Sequence, residues 1–286
     1  MKNLGRLTRL VLAPLVLVLS LHGQALVLPL RSGSVRFAAI GDMGSGERPQ
    51  YETAAKMNEM RAKYPFEFVI MLGDNIYGGN STSDYQLKFE APYKAILDAG
   101  VRFYAALGNH DNPVTQRSYK PFNMDGQQYY TYRKGNAQFY ALDSNYMDPK
   151  QLSWLKNELE SSNADWKICY FHHPLYSNAK FHGSSVELRN LLEPVFLQYG
   201  VQVVFTGHDH VYERLKPQKG ISYFVEGASG ELRRGDLRRS SLTAAGYDQD
   251  QTFMLVEISN DDLNFQTISR QGKTVDYGVI QRPKKK

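Results

Sequence analysis

From Val35 onward, short apolar runs alternate with stretches whose apolar residues recur at helical spacing. That alternation predicts an α/β domain rather than an all-β or all-α one. Strands are expected over residues 35–40, 68–72, 102–107, 137–142, 167–171 and 202–205, with helices between them. The helix over 149–160 is well marked. Asp148 can cap it, Pro149 suits the first helical position, and Leu152, Leu155 and Leu159 form one apolar stripe to bury against a sheet. A second helix is expected from Ser184, where Ser184 and Glu187 have capping-box spacing ahead of Leu188, Leu191, Leu192, Val195 and Phe196, with Pro194 bending it. Beyond Ile221 the pattern turns to strands, over 221–226, 253–258 and 264–269, which we expect to complete a second sheet.

Composition narrows the class. The 286 residues are 42% hydrophobic and 22% charged, which excludes a disordered or collagen-like chain. A single cysteine excludes a disulfide framework, a cysteine-based zinc finger and an iron–sulfur protein. The formal charge of +5 is concentrated at the ends, in Lys2, Arg6 and Arg9 and in Arg282, Lys284, Lys285 and Lys286, while the body is slightly acidic. A basic nucleic-acid face is therefore not expected. The first residues run from positive charge into an apolar stretch, Leu10 to Leu21, and then to small residues at Gly23 and Ala25. About a dozen apolar residues fall short of the ~20 that span a bilayer as a helix. We therefore expect residues 1–25 to be a cleaved signal peptide. Residues 26–286 would form a single domain with a basic tail, exported to the periplasm or outside the cell, with no stable membrane insertion after cleavage.

Candidate chemistry lies at the ends of five apolar runs, which terminate in Gly41-Asp42, Gly73-Asp74-Asn75-Ile76-Tyr77, Gly108-Asn109-His110-Asp111, His172-His173-Pro174 and Gly207-His208-Asp209-His210. In open α/β sheets the loops beyond the strands' carboxyl ends gather at one edge, so groups distant in sequence can converge. In four of the five a glycine directly precedes the candidate ligand, permitting a sharp turn and close backbone approach. Carboxylate, amide and phenolic oxygens mixed with imidazoles suit iron, manganese or zinc better than calcium or copper. Two such ions can acidify a water and stabilise both attacking and leaving oxygens of an in-line phosphoryl transfer.

These five blocks resemble those of the calcineurin-like metallophosphoesterase superfamily. Asp42-Met43-Gly44 and the tyrosine of Asp74-Asn75-Ile76-Tyr77 bring them closest to the purple acid phosphatase branch, of the small tartrate-resistant type. The resemblance covers residues 35–269. It implies a four-layer α/β/β/α sandwich of two mixed sheets flanked by helices. It implies that Asp42, Asp74, Tyr77 and His210 hold Fe(III), and that Asp74, Asn109, His172 and His208 hold a second, divalent ion (iron, zinc or manganese), Asp74 bridging. The same pattern selects His172 over His173, two residues before the proline. Catalytic roles fall to Asn109, holding phosphate, and to His110 and His182, candidates for protonating the leaving group. Asp111 and Asp209 receive no ligand role and are expected to be solvated loop carboxylates.

The implied activity is that of an acid phosphatase, hydrolysing small phosphate monoesters by in-line attack of a hydroxide held on the metal pair. Two alternatives stay open. The first is a phosphodiesterase with two divalent ions. The second is an iron- or phosphate-binding protein with incidental hydrolysis. The arginine-rich stretch Arg233, Arg234, Arg238 and Arg239 is either a solvated loop tip or a rim that draws anionic substrate towards the metals. The sequence does not identify a protein partner.

Overall fold

The computed structural model describes residues 26–282; the expected signal peptide and the lysines at 284–286 lie outside the described residues. Two mixed sheets face each other. The first runs in the order β13-β12-β11-β1-β2-β3, built from β1 (Val35–Ile40), β2 (Phe68–Leu72), β3 (Arg102–Ala106), β11 (Thr252–Ser259), β12 (Asp262–Ser269) and β13 (Thr274–Gln281). The second runs β10-β8-β9-β7-β6-β5-β4, from β4 (Tyr130–Lys134), β5 (Ala137–Ala141), β6 (Trp166–Tyr170), β7 (Val203–Thr206), β8 (Tyr212–Leu215), β9 (Ser222–Glu226) and β10 (Thr243–Tyr247). Strands β1, β2 and β3 are mutually parallel, as are β5, β6, β7 and β9. Their carboxyl ends therefore point one way within each sheet, and the five ligand-bearing loops all leave from those ends.

Helices cover both outer faces. α1 (Arg48–Lys63) lies against the first sheet with α3 (Ala91–Asp98), which continues from α2 (Thr82–Tyr85) through a π-helical turn over Gln86–Glu90. Met57, Met60, Phe89, Tyr93 and Ile96 bury there against Val69, Met71 and Phe103. A short α4 (Pro113–Gln116) follows the β3 loop. On the second sheet α5 (Pro149–Ser161) and α6 (Val186–Tyr199) bury Leu155, Leu159, Leu192 and Phe196 against Cys169 and Val204. The layers are thus α/β/β/α, as the resemblance implies.

The layer between the sheets is aromatic. Phe37 stacks on Phe68 of the neighbouring strand at 5.2 Å and meets Phe139 of the opposite sheet edge-on at 5.3 Å. All three rings are fully buried. Removing such a side chain costs about 3–5 kcal/mol, so this layer fixes how the two sheets, and the loops at their ends, sit against each other.

Asp148 caps α5, its carboxylate accepting from the Gln151 amide at 2.6 Å, as its sequence predicts. The capping box at Ser184 does not form. Ser185 occupies the cap position without a side-chain bond, while Ser184 Oγ accepts from the Ser177 amide and donates to its carbonyl. The late strands also divide differently. Only β9 and β10 join the second sheet; β11, β12 and β13 extend the first, with β11 antiparallel to β1.

Candidate metal centre

The five loops are stitched together before any ion is considered. The Asp42 amide donates to the Gly73 carbonyl at 3.0 Å, the Tyr77 amide to Gly44 at 3.0 Å, and the Gly207 amide to His172 at 3.0 Å. Across the seam between sheets, the His208 amide donates to Asp42 Oδ2 at 2.7 Å and His172 Nδ1 meets the Leu72 carbonyl at 3.0 Å. The close approach requires glycine. A Cβ on Gly73, at φ +91°, would fall 2.5 Å from His172 Nδ1, and one on Gly108 would run into the Asp74 carboxyl. Asp42, Asp74 and His208 themselves hold left-handed backbone, at φ +53°, +50° and +70°. Such conformations cost of order 1–3 kcal/mol for residues with a Cβ and persist at functional sites.

The side chains form two adjoining groups. In one, Tyr77 Oη donates to Asp42 Oδ1 at 3.1 Å and lies 3.3 Å from His210 Nε2, itself 3.4 Å from Asp42 Oδ1. In the other, His172 Nε2 is 3.0 Å from Asn109 Oδ1, 3.4 Å from Asp74 Oδ2 and 3.1 Å from His208 Nδ1. Asp42, Asp74 and His172 are buried, and their ligand atoms lie within 4.8 Å of one another. Asp74 adjoins both groups, its charge also helping to raise the Tyr77 phenol. The seven residues expected to hold metal are therefore together at one edge of the two sheets.

The donor chemistry fits cations. His172 Nδ1 faces a carbonyl, so it carries the proton, and the lone pair of neutral Nε2 then confronts two acceptor oxygens, Asp74 Oδ2 and Asn109 Oδ1. A cation shared among these atoms reconciles them, and His208 Nδ1, 3.1 Å away, can also donate to that lone pair. Without metal a proton serves: burial would lower His172, but the Asp42 and Asp74 carboxylates outweigh it and lift its pKa to about 9. Burial, with the charges of Asp42 and Asp74, pushes the Tyr77 phenol well above its ordinary value. A nearby cation would reverse that sign. The carbonyl behind Nδ1 is the outer bond that fixes the tautomer of a metal-binding histidine.

Two of the three catalytic candidates, His110 and His182, have exposed rings beside the ligand groups. The exposed His110 ring lies 4.9 Å from Tyr77, and its backbone amide donates to Asp74 Oδ1 at 2.9 Å. The exposed His182 ring lies 4.0 Å from His208. His173 sits beside the group but turns Nδ1 to Ser144 Oγ at 2.9 Å. Burial and neighbouring His172 depress it to about 4, consistent with the nearby polar residue expected.

Asp111 and Asp209 are not the solvated carboxylates expected from their loop positions. Asp111 accepts from the amides of Gly108, Asn75 and Ile76 and from the side chains of Asn75 and Gln116, tying the β2 and β3 loops into one unit. Asp209 is fully buried, and burial raises it to about 6. Glu226, at the end of β9 and fully buried, escaped the sequence reading. It ends an apolar run, but the glycine, Gly227, follows it rather than preceding it as at the other strand ends. Its Oε1 accepts from Thr252 at 2.6 Å, its Oε2 has no partner, and burial raises its pKa to about 8. Beside Asn109 and His173 an open cleft of about 440 Å³ is lined by Gln128, Asn145 and Tyr146. A cavity of about 510 Å³ between Asp165, Tyr199, Gln202 and Arg282 gathers none of these groups.

Residues 35–212 match the calcineurin-like phosphoesterase family. The chain is 30% identical over 257 residues to tartrate-resistant acid phosphatase type 5 of Oryctolagus cuniculus, covering 74% of this chain and 78% of that one. It is 28% identical over 279 residues to purple acid phosphatase 17 of Arabidopsis thaliana, covering 84% and 82%. Among solved structures, purple acid phosphatase PPD1 from yellow lupin (Lupinus luteus) seeds superposes with a TM-score of 0.75 at 20% identity, over 88% of this chain and 54% of that one. GAP50, described as the anchor in the inner membrane complex of Plasmodium, superposes with a TM-score of 0.76 at 21% identity, over 88% and 90%. At those identities the two structures speak to the fold alone.

Proposed function

The chain belongs to the calcineurin-like phosphoesterase family and is a phosphoric ester hydrolase, and from that premise we propose that it is an exported purple acid phosphatase acting on phosphate monoesters. Asp42, Asp74, Tyr77 and His210 would hold Fe(III), and Asp74, Asn109, His172 and His208 a divalent iron, zinc or manganese. When bound, such a pair acidifies water and neutralises charge on phosphate oxygens. Asn109, besides offering Oδ1 to the divalent ion, would help hold the substrate phosphate. His110 and His182, both exposed, would orient the ester, and whichever faces the leaving oxygen would return a proton to it. Asp111 and the Leu72 carbonyl hold the loops and the His172 ring in register. Residues 1–25 would direct export and be removed, leaving residues 26–286 as one domain; among the described residues no helix is long and apolar enough to cross a membrane.

The observation that carries this reading is the Tyr77 hydroxyl, 3.1 Å from Asp42 and 3.3 Å from His210. A phenol is a weak donor to a divalent ion at neutral pH but a good anionic ligand for a hard ferric one. The test is the visible absorption spectrum and metal content of the purified protein beside Tyr77→Phe. A purple phenolate-to-iron band in the wild type, absent in the variant, with phosphate-ester turnover at mildly acidic pH, is the expected result. A colourless, metal-loaded wild type would overturn the ferric assignment and favour the divalent phosphodiesterase.

A further inference from the structure

We infer that Glu213, a buried carboxylate on β8, is a positioning residue: it anchors the loop that carries His182 and so sets that ring beside His208. The inference rests on the phosphatase reading, in which His182 is a candidate for returning a proton to the leaving oxygen, and deepens it by naming what holds His182 in place.

Glu213 lies three residues beyond His210, on a strand paired with both β9 and β10, and is fully buried. A buried carboxylate is costly unless its oxygens are hydrogen-bonded, and here three donors meet them. The Asn178 amide donates to Oε2 at 2.8 Å, the Asn178 side-chain nitrogen to Oε1 at 2.7 Å, and Thr243 Oγ1 to Oε1 at 2.6 Å. Asn178 thus grips both oxygens, and its side chain also donates to Thr243 at 3.1 Å. Hydrogen bonds to an ionised acceptor are about twice as strong as neutral ones. Neighbouring Arg214 pairs with Asp276 of β13 instead, so the Glu213 carboxylate serves the loop rather than an ion pair along its own strand.

His182 follows Asn178 by four residues, and its loop is closed at the base. The Ser185 amide donates to the Pro174 carbonyl at 2.8 Å, and Ser184 Oγ bridges to the backbone of Ser177. Further out, the Lys180 amide donates to the Asp236 carbonyl at 2.9 Å and the Arg238 amide to the Asn178 carbonyl at 2.9 Å. Part of the arginine stretch is therefore packed on this loop rather than a free tip. His182 itself is exposed, and among the described residues no hydrogen bond holds its ring. Its place 4.0 Å from His208 therefore follows from the course of the loop's backbone. Because Glu213 shares one short length of chain with His208 and His210, its grip on Asn178 ties that backbone to the segment that bears two of the expected metal ligands.

The test compares metal-loaded wild type with Glu213→Gln, Asn178→Ala, His182→Ala and the double variant of Glu213→Gln with His182→Ala. Whichever way a glutamine amide turns at 213, its NH2 meets a donor of Asn178. Glu257→Gln is the control, since Glu257 is a buried carboxylate that serves the Leu30 and Arg31 amides on the first sheet. Turnover is measured on p-nitrophenyl phosphate, whose leaving group departs without a proton, and on phenyl phosphate, whose leaving group calls for one. Glu213→Gln and Asn178→Ala are each expected to lower the phenyl to p-nitrophenyl ratio of kcat by about tenfold, within the ~10²-fold that a misplacement of about 1 Å can cost, with metal content unchanged. The double variant should show the ratio of His182→Ala alone, and Glu257→Gln that of wild type. Asn178 is only partly buried, so Asn178→Ala decides the matter where Glu213→Gln does not fold. An unchanged ratio in the loop variants or in His182→Ala, an equal shift in the control, or a double variant that falls further than His182→Ala overturns the inference. The position of the ring is read separately, from the nuclear Overhauser contact between His182 and His208 in the zinc-loaded protein, which Glu213→Gln and Asn178→Ala should lose; its retention refutes the anchor. Wild type that turns over neither ester refutes the phosphatase reading, while the ring contact still decides whether Glu213 sets His182.

Discussion

Replacing Gly73 by alanine tests whether the loops are built around the His172 ring. At φ +91° the added Cβ would lie 2.5 Å from His172 Nδ1 and 2.8 Å from its Cβ and Cγ, about 1 Å short of ordinary contact. The ring must move, or the loop must, and Nδ1 is the atom bonded to the Leu72 carbonyl. Backbone strain of about 1–3 kcal/mol adds to the loss of a buried hydrogen bond, another ~1–3 kcal/mol, so a destabilisation of about 2–6 kcal/mol is expected. The functional loss follows from geometry. A ring displaced by about 1 Å carries Nε2 away from Asp74 and Asn109, and disturbing the outer bond of a metal-binding histidine costs about 10–100-fold in affinity. Gly200→Ala is the control: it has φ +72° but nothing within 4 Å of its Cβ, so it meets the backbone strain alone. The assay is urea unfolding of the metal-free proteins together with chelator-competition affinity for Zn²⁺. If Gly73→Ala loses no more stability than Gly200→Ala and keeps wild-type affinity, the close packing of the β2 loop on His172 is refuted as the device that sets the site.

Asp111→Ala should strand three backbone amides of the β2 and β3 loops at once. Stability should fall by more than about 3 kcal/mol and metal affinity with it, and a variant that unfolds like wild type in urea would contradict the hub role. Glu226 sets a pH dependence in the metal-free protein. Its folded pKa, about 8, stands above the ordinary 4.5, so between those values the folded state holds the extra proton and stability declines as pH rises, by about 5 kcal/mol at most. Glu226→Gln should flatten unfolding free energy over that range, and identical pH profiles would dismiss the burial effect. His182→Ala is expected to lower kcat by about 10²–10⁴ with metal content unchanged, whereas loss of metal in that variant would make His182 a support for His208 instead.

The legible part of the fold was what depends on local pattern. β1, β2, β5, β6, β7 and β11 are mostly apolar runs because both faces are largely covered, and such runs stand out from their surroundings. Strands β4, β10 and β13 are half-exposed along their length and read as polar loop, and four-residue β8 is hidden directly behind His208 and His210. Which sheet a buried strand joins is not local either. β11 is buried at every position whichever sheet it enters, and only its antiparallel register with β1, Val35 opposite Ile258, decides it.

The site divides along the same line. The identity of the donors is local, since a glycine and a short polar residue at the end of an apolar run announce themselves. What each donor does is settled across the seam between sheets. His172 and His173 are adjacent imidazoles in one loop, and nothing in their own chemistry separates them. The Leu72 carbonyl, from the other sheet, lies behind the ring of His172, whose Nε2 meets Asp74, while His173 bonds Ser144 through Nδ1 and still keeps a ligand atom within 4.8 Å of those of His172 and His208. Asp111 and Asp209 misled for the same reason, because a carboxylate in a polar loop looks solvated until another loop folds over it. The aromatic layer of Phe37, Phe68 and Phe139 is therefore part of the metal centre's construction. By setting how one sheet lies on the other, it sets where the Leu72 carbonyl meets His172 and where the Asp42 carboxyl meets the His208 amide, and thus the separation of the two ligand groups.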